Sequence, residues 1–201
     1  MRLAEVDPAL VSRALHQVAA ALDYPDGSSA RGALEGAGLA EDVAPEMSAA
    51  LLRLSGWLSS AAPGGAEERY SGLFDLSPVC TLHLGYHLFG ESYQRGALLS
   101  GLVAEMRKAG VALRDGELSD YLPAVLRLLA SLPPGEDRET LVDALLLPGL
   151  TRMTEALKDA DSPWADVLRA LPSFLAPLGG GEPLPPPERV DDIDLEAEAL
   201  A

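Results

Sequence analysis

The sequence has little cysteine, few aromatic residues and few basic residues. Among 201 residues there is one cysteine, 5% are aromatic, and 15 Lys and Arg stand against 31 Asp and Glu. One cysteine excludes an internal disulfide and fits a reducing compartment. Few aromatics and no runs of Val, Ile and Thr argue against a large sheet. The net charge of −16 repels phosphate backbones and argues against nucleic-acid binding.

Several functional signals are also missing. No apolar run reaches the roughly 18 residues that a membrane span needs. The first residues, MRLAEVDPALVSRAL, lack a secretory signal, and the chain has no Arg-Arg pair of a twin-arginine signal. We therefore expect a cytoplasmic protein. There is no GxSxG and no catalytic cysteine signature, and Gly179–Gly181 lack the Lys-Ser/Thr of a phosphate loop. These absences predict that the protein is not an enzyme.

Alanine and leucine dominate a chain that is 48% hydrophobic, which favours helices. Apolar residues recur at helical spacing, as in Leu10, Ala14, Val18 and Leu22. The pattern predicts an all-α, single-domain bundle of about nine helices over residues 1–176, with a possible joint near 61–66. From residue 177 the chain is rich in Pro and Gly and then acidic, which predicts a disordered tail over 177–201.

Caps and breakers predict where the helices begin and end. Asp7-Pro8 starts the first helix, and Ser92 caps one that ends near Gly110. Ser77-Pro78 starts a helix that runs to about Phe89. The other predicted helices cover about 29–37, 45–60, 67–76, 120–132, 137–157 with a break at Pro148-Gly149, and 163–175.

The stretch Thr81–Gly96 interrupts the apolar pattern with polar and aromatic residues. Cys80, His83, His87 and Glu91 follow at spacings of three, four and four, which suggests metal ligands on one helical face. Gly90 argues against this, because it ends the helix before Glu91, and no HExxH pattern is present. Packed, hydrogen-bonded side chains are the simpler interpretation. A metal-binding or regulatory protein using Cys80, His83 and His87 stays the alternative hypothesis.

A recognition function is the other interpretation of the same composition. A helical bundle can hold an amphipathic helix in a groove, and an acidic rim suits a basic peptide. The acidic surface can equally serve solubility alone.

Four motifs give the chain a resemblance to a known family. They are Leu22-Asp23-Tyr24-Pro25, Tyr70-Ser71-Gly72-Leu73-Phe74-Asp75, His87-Leu88-Phe89-Gly90-Glu91-Ser92-Tyr93-Gln94-Arg95-Gly96 and Glu117-Leu118-Ser119-Asp120-Tyr121-Leu122-Pro123. Together they resemble the NarJ branch of the TorD/DmsD family of redox-enzyme maturation chaperones, in order and rough spacing. Ser119 stands where that family usually has Pro.

The resemblance implies an all-helical chaperone without catalytic activity. It implies binding to the basic, amphipathic N-terminal segment of a molybdoenzyme catalytic subunit, nitrate reductase first among the possible clients. The client is held in the cytoplasm while molybdopterin guanine dinucleotide is inserted into it, before it docks at the membrane. No cofactor is implied to stay on the chaperone. A structural subunit of a respiratory complex is a further hypothesis.

The residues that we expect to form the site come mainly from the last three motifs. Glu91, Glu117 and Asp120 are predicted to form part of an acidic rim, and Tyr86, His87 and Tyr121 to contact the bound peptide. An alternative is that Arg95 and Asp120 form an ion pair that joins helices and sets the groove's shape. The residues predicted to shape this junction are Tyr70, Phe74, Asp75, Gly90, Arg95, Gly96 and Pro123.

Overall fold

A computed structural model describes residues 7–76, 80–181 and 183–187. In this part of the chain the helices are α1 (Pro8–Leu22), α2 (Ser29–Ala40), α3 (Pro45–Ser60), α4 (Gly65–Phe74), α5 (Leu84–Phe89), α6 (Tyr93–Ala109), α7 (Leu122–Ser131), α8 (Glu136–Thr140), a π-helical segment (Leu141–Leu146), α9 (Leu147–Ala156), α10 (Pro163–Leu175) and a 3₁₀ turn (Ala176–Leu178). Because α8, the π segment and α9 run on without a break, the described residues form nine helical stretches before that turn. The predicted all-α class is confirmed.

Predicted caps are found at the starts of α1 and α6 and at the end of α6. Asp7 Oδ1 accepts a hydrogen bond from the Ala9 N–H at 3.0 Å and caps α1. Gly110 ends α6 with a φ of 71°, a left-handed conformation that glycine adopts without steric cost. The kink or split predicted at Pro148-Gly149 falls in the first turn of α9, where the helix continues and the π segment has just ended.

The core lies where α1 packs against α2 and α7, and where α10 packs against α3 and α9. Trp164 on α10 is fully buried, and its Nε1–H donates to the Ala21 carbonyl at 3.0 Å. One cluster of buried apolar residues includes side chains from both α3 and α4, which flank the joint predicted near 61–66. No helix among the described residues is long and apolar enough to span a bilayer.

The predicted helix from Ser77-Pro78 to Phe89 is wrong over Cys80–His83. Its start lies outside the described residues, and α5 begins only at Leu84. His83 forms an isolated antiparallel bridge with Tyr121. The Leu84 N–H donates to the Asp120 carbonyl at 2.9 Å, and the Leu122 N–H donates to the Leu82 carbonyl at 2.8 Å. This segment therefore pairs with distant backbone instead of its own preceding turn.

The first residues of the predicted tail make contacts with the domain. Leu178 is buried, and the Leu184 N–H donates to the Asp143 carbonyl at 3.1 Å. This part of the chain is thus attached to the domain by its backbone, while Leu184 stays 58% exposed. The rest of the tail prediction falls on residues outside the described part.

Candidate functional site

A buried carboxylate, that of Asp120, joins α5, α6 and the entry to α7. The Asp120 side chain has no exposed surface. Its Oδ2 accepts a hydrogen bond from Arg95 Nε at 3.0 Å, and its Oδ1 lies 3.0 Å from His83 Nδ1. The backbone bridge beside it holds His83 and Asp120 at this separation. We call Asp120, Arg95, His83 and Glu91 the junction.

The electrostatics of the junction favour an ionised Asp120. Burial alone raises the pKa of this carboxyl, but hydrogen bonds and charge from His83 and Arg95 outweigh burial, so the pKa of Asp120 is lowered. The structure therefore corrects the predicted rim role of Asp120: the side chain is buried and committed to two partners. The alternative ion pair with Arg95 is the arrangement observed.

Arg95 extends the junction to the surface. Its Nη1 donates to Glu91 Oε1 at 2.8 Å, and 80% of the Glu91 side chain is exposed. The guanidinium carbon also lies 5.6 Å from the centre of the Tyr86 ring, a cation–π distance.

Gly90 makes the turn between α5 and α6 with a φ of 59°. Ser92 Oγ accepts the Arg95 N–H at 3.4 Å and caps α6, as predicted.

Gly85 explains how the helices approach the carboxylate so closely. A Cβ at this position would lie 2.8 Å from Asp120 Oδ2 and 3.0 Å from Leu98 Cδ2. Glycine is thus the residue that lets α5 pack on α6 and Asp120. Gly96, predicted to shape the junction, has open space where its Cβ would be.

An open cavity of about 350 Å³ lies beside the junction, and we call it the tyrosine pocket. Three of the four motifs contribute to it. It is lined by Tyr24, Tyr70, Asp75, His83, Arg114, Gly116, Glu117, Leu118 and Tyr121. The pocket therefore combines aromatic walls with the carboxylates of Asp75 and Glu117.

Hydrogen bonds hold the aromatic walls in place. The Tyr70 hydroxyl donates to the Leu22 carbonyl at 2.8 Å and lies 2.9 Å from the Tyr121 hydroxyl. Because Tyr70 has one proton and gives it to Leu22, Tyr121 is the donor in the pair. Tyr24 packs edge-on against Tyr70, with ring centres 5.5 Å apart. Burial is the main cause that raises the pKa of both Tyr70 and Tyr121, so both stay neutral.

A charged cluster adjoins the tyrosine pocket and contributes Arg114 to its lining. Asp23 Oδ2 accepts hydrogen bonds from Arg114, at 3.0 Å, and from Arg127. Glu117 faces this cluster, and burial first, then the charge of Asp23, raises the pKa of Glu117. Arg114, Arg127 and His83 oppose that shift without reversing it.

A second cavity adjoins the tyrosine pocket, and we call it the apolar cleft. It measures about 360 Å³ and is lined by Leu99, Ser100, Val103, Leu113, Glu117, Leu118 and Ser119. Glu117 and Leu118 line both cavities. The two cavities therefore adjoin at Glu117 and Leu118, and we call the adjoining pair the groove, with an apolar end and an aromatic, acidic end.

The proposed metal ligands do not converge. His83 Nδ1 is directed at Asp120, whereas His87 Nε2 lies 2.7 Å from the Thr81 carbonyl and 3.6 Å from Cys80 Sγ. Burial raises the pKa of the Cys80 thiol to about 12, which opposes formation of a thiolate ligand. Within the described ranges, no three His, Cys, Asp or Glu side chains are grouped to hold a metal.

The remaining predicted residues lie at different depths. Phe74 and Pro123 are buried, and Asp75 is exposed at the edge of the tyrosine pocket. His87 is buried, while Tyr86 is about one-third exposed. Sequence reasoning did not select Asp23, Gly85 or Arg114, and treated His83 only as a metal ligand. The motif LDYP contains Asp23, and this was the one available signal.

Comparison with known proteins gives a consistent family. The model of the nitrate reductase delta subunit family matches residues 40–170. The nitrate reductase molybdenum cofactor assembly chaperone NarJ of Escherichia coli K12 is 36% identical over 108 residues, which are 54% of this chain and 45% of NarJ. The nitrate reductase-like protein NarX of Mycobacterium tuberculosis is 32% identical over 114 residues, 57% of this chain and 17% of NarX. The chain thus spans about half the length of NarJ and a smaller share of NarX.

A solved structure shares the fold. A redox enzyme maturation protein from Archaeoglobus fulgidus aligns with a TM-score of 0.59 over 82% of this chain and 93% of that one, at 19% identity. At this identity the likeness supports the helical architecture and nothing further.

Proposed function

The chain belongs to the nitrate reductase delta subunit family, and we propose that it is a system-specific chaperone in the maturation of a molybdoenzyme. The proposed client is the catalytic subunit of a nitrate reductase. The chaperone binds the client's N-terminal segment in the cytoplasm while the molybdenum cofactor is inserted. Molybdopterin guanine dinucleotide then belongs to the client, and the chaperone keeps no cofactor and performs no catalysis.

The observation that carries this proposal is the pair of adjoining cavities, the apolar cleft and the tyrosine pocket, which share Glu117 and Leu118. A basic amphipathic helix has one apolar face and positive charges beside it. Leu99, Val103 and Leu113 offer apolar surface for that face. Asp75 and Glu117 offer carboxylates for the charges at the other end. Apolar burial supplies affinity, and the charges set orientation and speed association.

The junction serves this groove as a positioning element. The Arg95–Asp120 ion pair ties α6, which lines the apolar cleft, to the loop before α7. His83 belongs to the junction and also lines the tyrosine pocket. Among the predicted contact residues, Glu91, Tyr86 and Tyr121 keep accessible surface and remain candidates for direct contact. His87 is buried beside the Thr81 carbonyl and acts in our proposal through α5.

Calorimetric titration with a synthetic peptide of the client's N-terminal segment tests the proposal. The variants are Glu117→Gln, in the groove, and Glu136→Gln, an exposed residue on α8 that gives a matched change of net charge. We expect Glu117→Gln to weaken binding about fivefold, which is about 1 kcal/mol, and Glu136→Gln to leave it unchanged. A peptide that does not bind the unmodified chain would refute the chaperone proposal. Equal affinity of the two variants would refute only the placement in the groove.

A further inference from the structure

Asp143 of the π segment accepts two hydrogen bonds from the chain after α10. The Gly180 N–H donates to Asp143 Oδ2 at 2.8 Å, and the Leu184 N–H donates to the Asp143 carbonyl at 3.1 Å. Further along, Arg152 Nη2 donates to the Pro187 carbonyl at 2.9 Å. We call residues 179–181 and 183–187 the C-terminal clasp.

Two glycines of the clasp lie in close contact with acidic side chains. A Cβ on Gly179 would overlap Asp143 Oδ1, and a Cβ on Gly180 would lie 2.7 Å from Glu139 Oε2. A Cβ on Gly181 would meet no atom within 4 Å. Two of the three consecutive glycines therefore fit the surface of α8 and the π segment, which a flexible linker would not need.

The π segment is what makes Asp143 available. A π turn shifts the hydrogen-bond pattern to i→i+5 and changes the direction of the carbonyls around it. The Asp143 carbonyl accepts from Leu184, outside the helix. On the opposite side, Val142, Leu145 and Leu146 are buried in the core. The same segment thus faces the clasp on one side and the core on the other.

The π segment and α9 in turn pack against α5. Both contact α5 directly. A Cβ at Gly149, in the first turn of α9, would lie 2.6 Å from Leu84 Cδ2, so the backbone of α9 touches the first residue of α5. Leu84 follows His83 of the junction. A contiguous set of contacts therefore leads from the clasp to the junction.

We propose that the C-terminal clasp is a releasable strap that holds the π segment in place and, through it, the packing of α5 at the junction. Asp143 Oδ1 is buried and finds no hydrogen-bond partner among the described residues. This unpaired acceptor disfavours the closed clasp and makes its release a local event, separate from unfolding of the domain. The inference concerns the fold of this chain and does not depend on the identity of a client.

Amide hydrogen exchange of the full chain, followed residue by residue by NMR, tests the clasp. In the unmodified chain and in Gly181→Ala, we expect the amides of Gly180 and Leu184 to be protected. In Gly180→Ala, we expect the Leu184 amide to exchange at least about tenfold faster, with faster exchange also in the π segment and α5. Asp143→Ala removes the acceptor from the other side and gives a second measurement if Gly180→Ala does not fold.

Three results would overturn the proposal. The first is an unprotected Leu184 amide in the unmodified chain. The second is equal acceleration in Gly181→Ala and Gly180→Ala. The third is an opened clasp, in either Gly180→Ala or Asp143→Ala, that leaves exchange in the π segment and α5 unchanged.

Discussion

Arg95 Nε and Asp120 Oδ2 lie 3.0 Å apart, with the arginine side chain 10% exposed and the aspartate side chain fully buried. The two residues stand 25 positions apart in the sequence, Arg95 in the first turn of α6 and Asp120 in the loop before α7. Burying both charges costs solvation free energy, so such a pair contributes to geometry more than to net stability. Removing Asp120 is a different matter, because it leaves the buried Arg95 guanidinium with the exposed Glu91 as its remaining carboxylate partner.

Asp120→Ala is therefore expected to destabilise the chain by about 3–5 kcal/mol. Urea denaturation followed by tryptophan fluorescence measures this loss. Glu91→Ala removes the exposed partner of the same arginine and should cost no more than about 1 kcal/mol. Similar losses for the two variants would show that the buried pair is not the dominant contact of Arg95.

The lowered pKa of Asp120 predicts a specific acid response. The folded-state pKa lies below the unfolded value, so the junction's contribution is present above the unfolded pKa of about 4 and is lost as pH falls through the folded pKa. Asp120→Asn should lower stability near neutral pH and flatten the fall in stability below about pH 4. Urea midpoints measured between neutral and acid pH give both slopes. An unchanged acid slope in the variant would contradict an ionised Asp120.

The raised pKa of Glu117 predicts the opposite sign. Its folded-state pKa lies above the unfolded value, so its contribution is favourable below the unfolded pKa and is lost as pH rises through the folded pKa. Glu117→Gln, which cannot ionise, should therefore be slightly more stable than the unmodified chain at pH 7, with a smaller difference near pH 4. Thermal midpoints at the two pH values measure this. Greater stability of the unmodified chain at pH 7 would contradict the assigned shift.

Gly85 and Gly96 make a matched pair of glycines on neighbouring helices. Gly85→Ala places a methyl group against Asp120 and Leu98 and should destabilise by about 1–3 kcal/mol. Gly96→Ala, in open space inside α6, should stabilise by about 0.5–1 kcal/mol. Denaturant unfolding of both variants tests the difference. A destabilised Gly96→Ala would restore the junction role that the sequence suggested for this residue.

Cys80 should be unreactive in the folded chain. Its pKa is raised to about 12 by burial, so only about one thiol in ten thousand is ionised at pH 8. We expect a disulfide reagent to modify the folded chain at least about a hundredfold more slowly than the chain in urea. Because Cys80 is the one cysteine of the sequence, the reaction reports on it alone. Rapid modification under native conditions would show that the extended segment Cys80–His83 opens readily.

The helices were predictable because their signals are local. Asp7-Pro8, Ser92 and Gly110 each mark a boundary through a neighbouring backbone group, and the structure has these caps. The extended segment Cys80–His83 was not predictable in this way. The backbone hydrogen bonds beside it join Leu84 to Asp120 and Leu82 to Leu122. Local periodicity cannot predict a backbone partner so far along the chain.

The site was predictable in composition more than in arrangement. The motifs contain Tyr70, Tyr121 and Glu117, which do share one pocket. Depth was the missing information: Asp120 and Glu91 are both carboxylates in the same motif set, yet one is buried and the other exposed. The clasp was not predicted because its Pro- and Gly-rich composition is typical of linkers. Glycines that allow a close contact, such as Gly179 and Gly180, look the same in the sequence as glycines of a flexible linker.

The bridge between His83 and Tyr121 also bears on the order of folding. Many contacts in a helical bundle join residues that are close in the sequence, and such contacts form early in folding. His83 and Asp120, in contrast, are 37 positions apart. Closing a flexible loop of that length costs about 3 kcal/mol of chain entropy. The 17-residue helix α6 lies inside this loop, and once it has formed the free part of the loop is much shorter. We therefore expect α6 to fold before the bridge, so that helix propensity within α6 sets how fast the two ends of the groove come together.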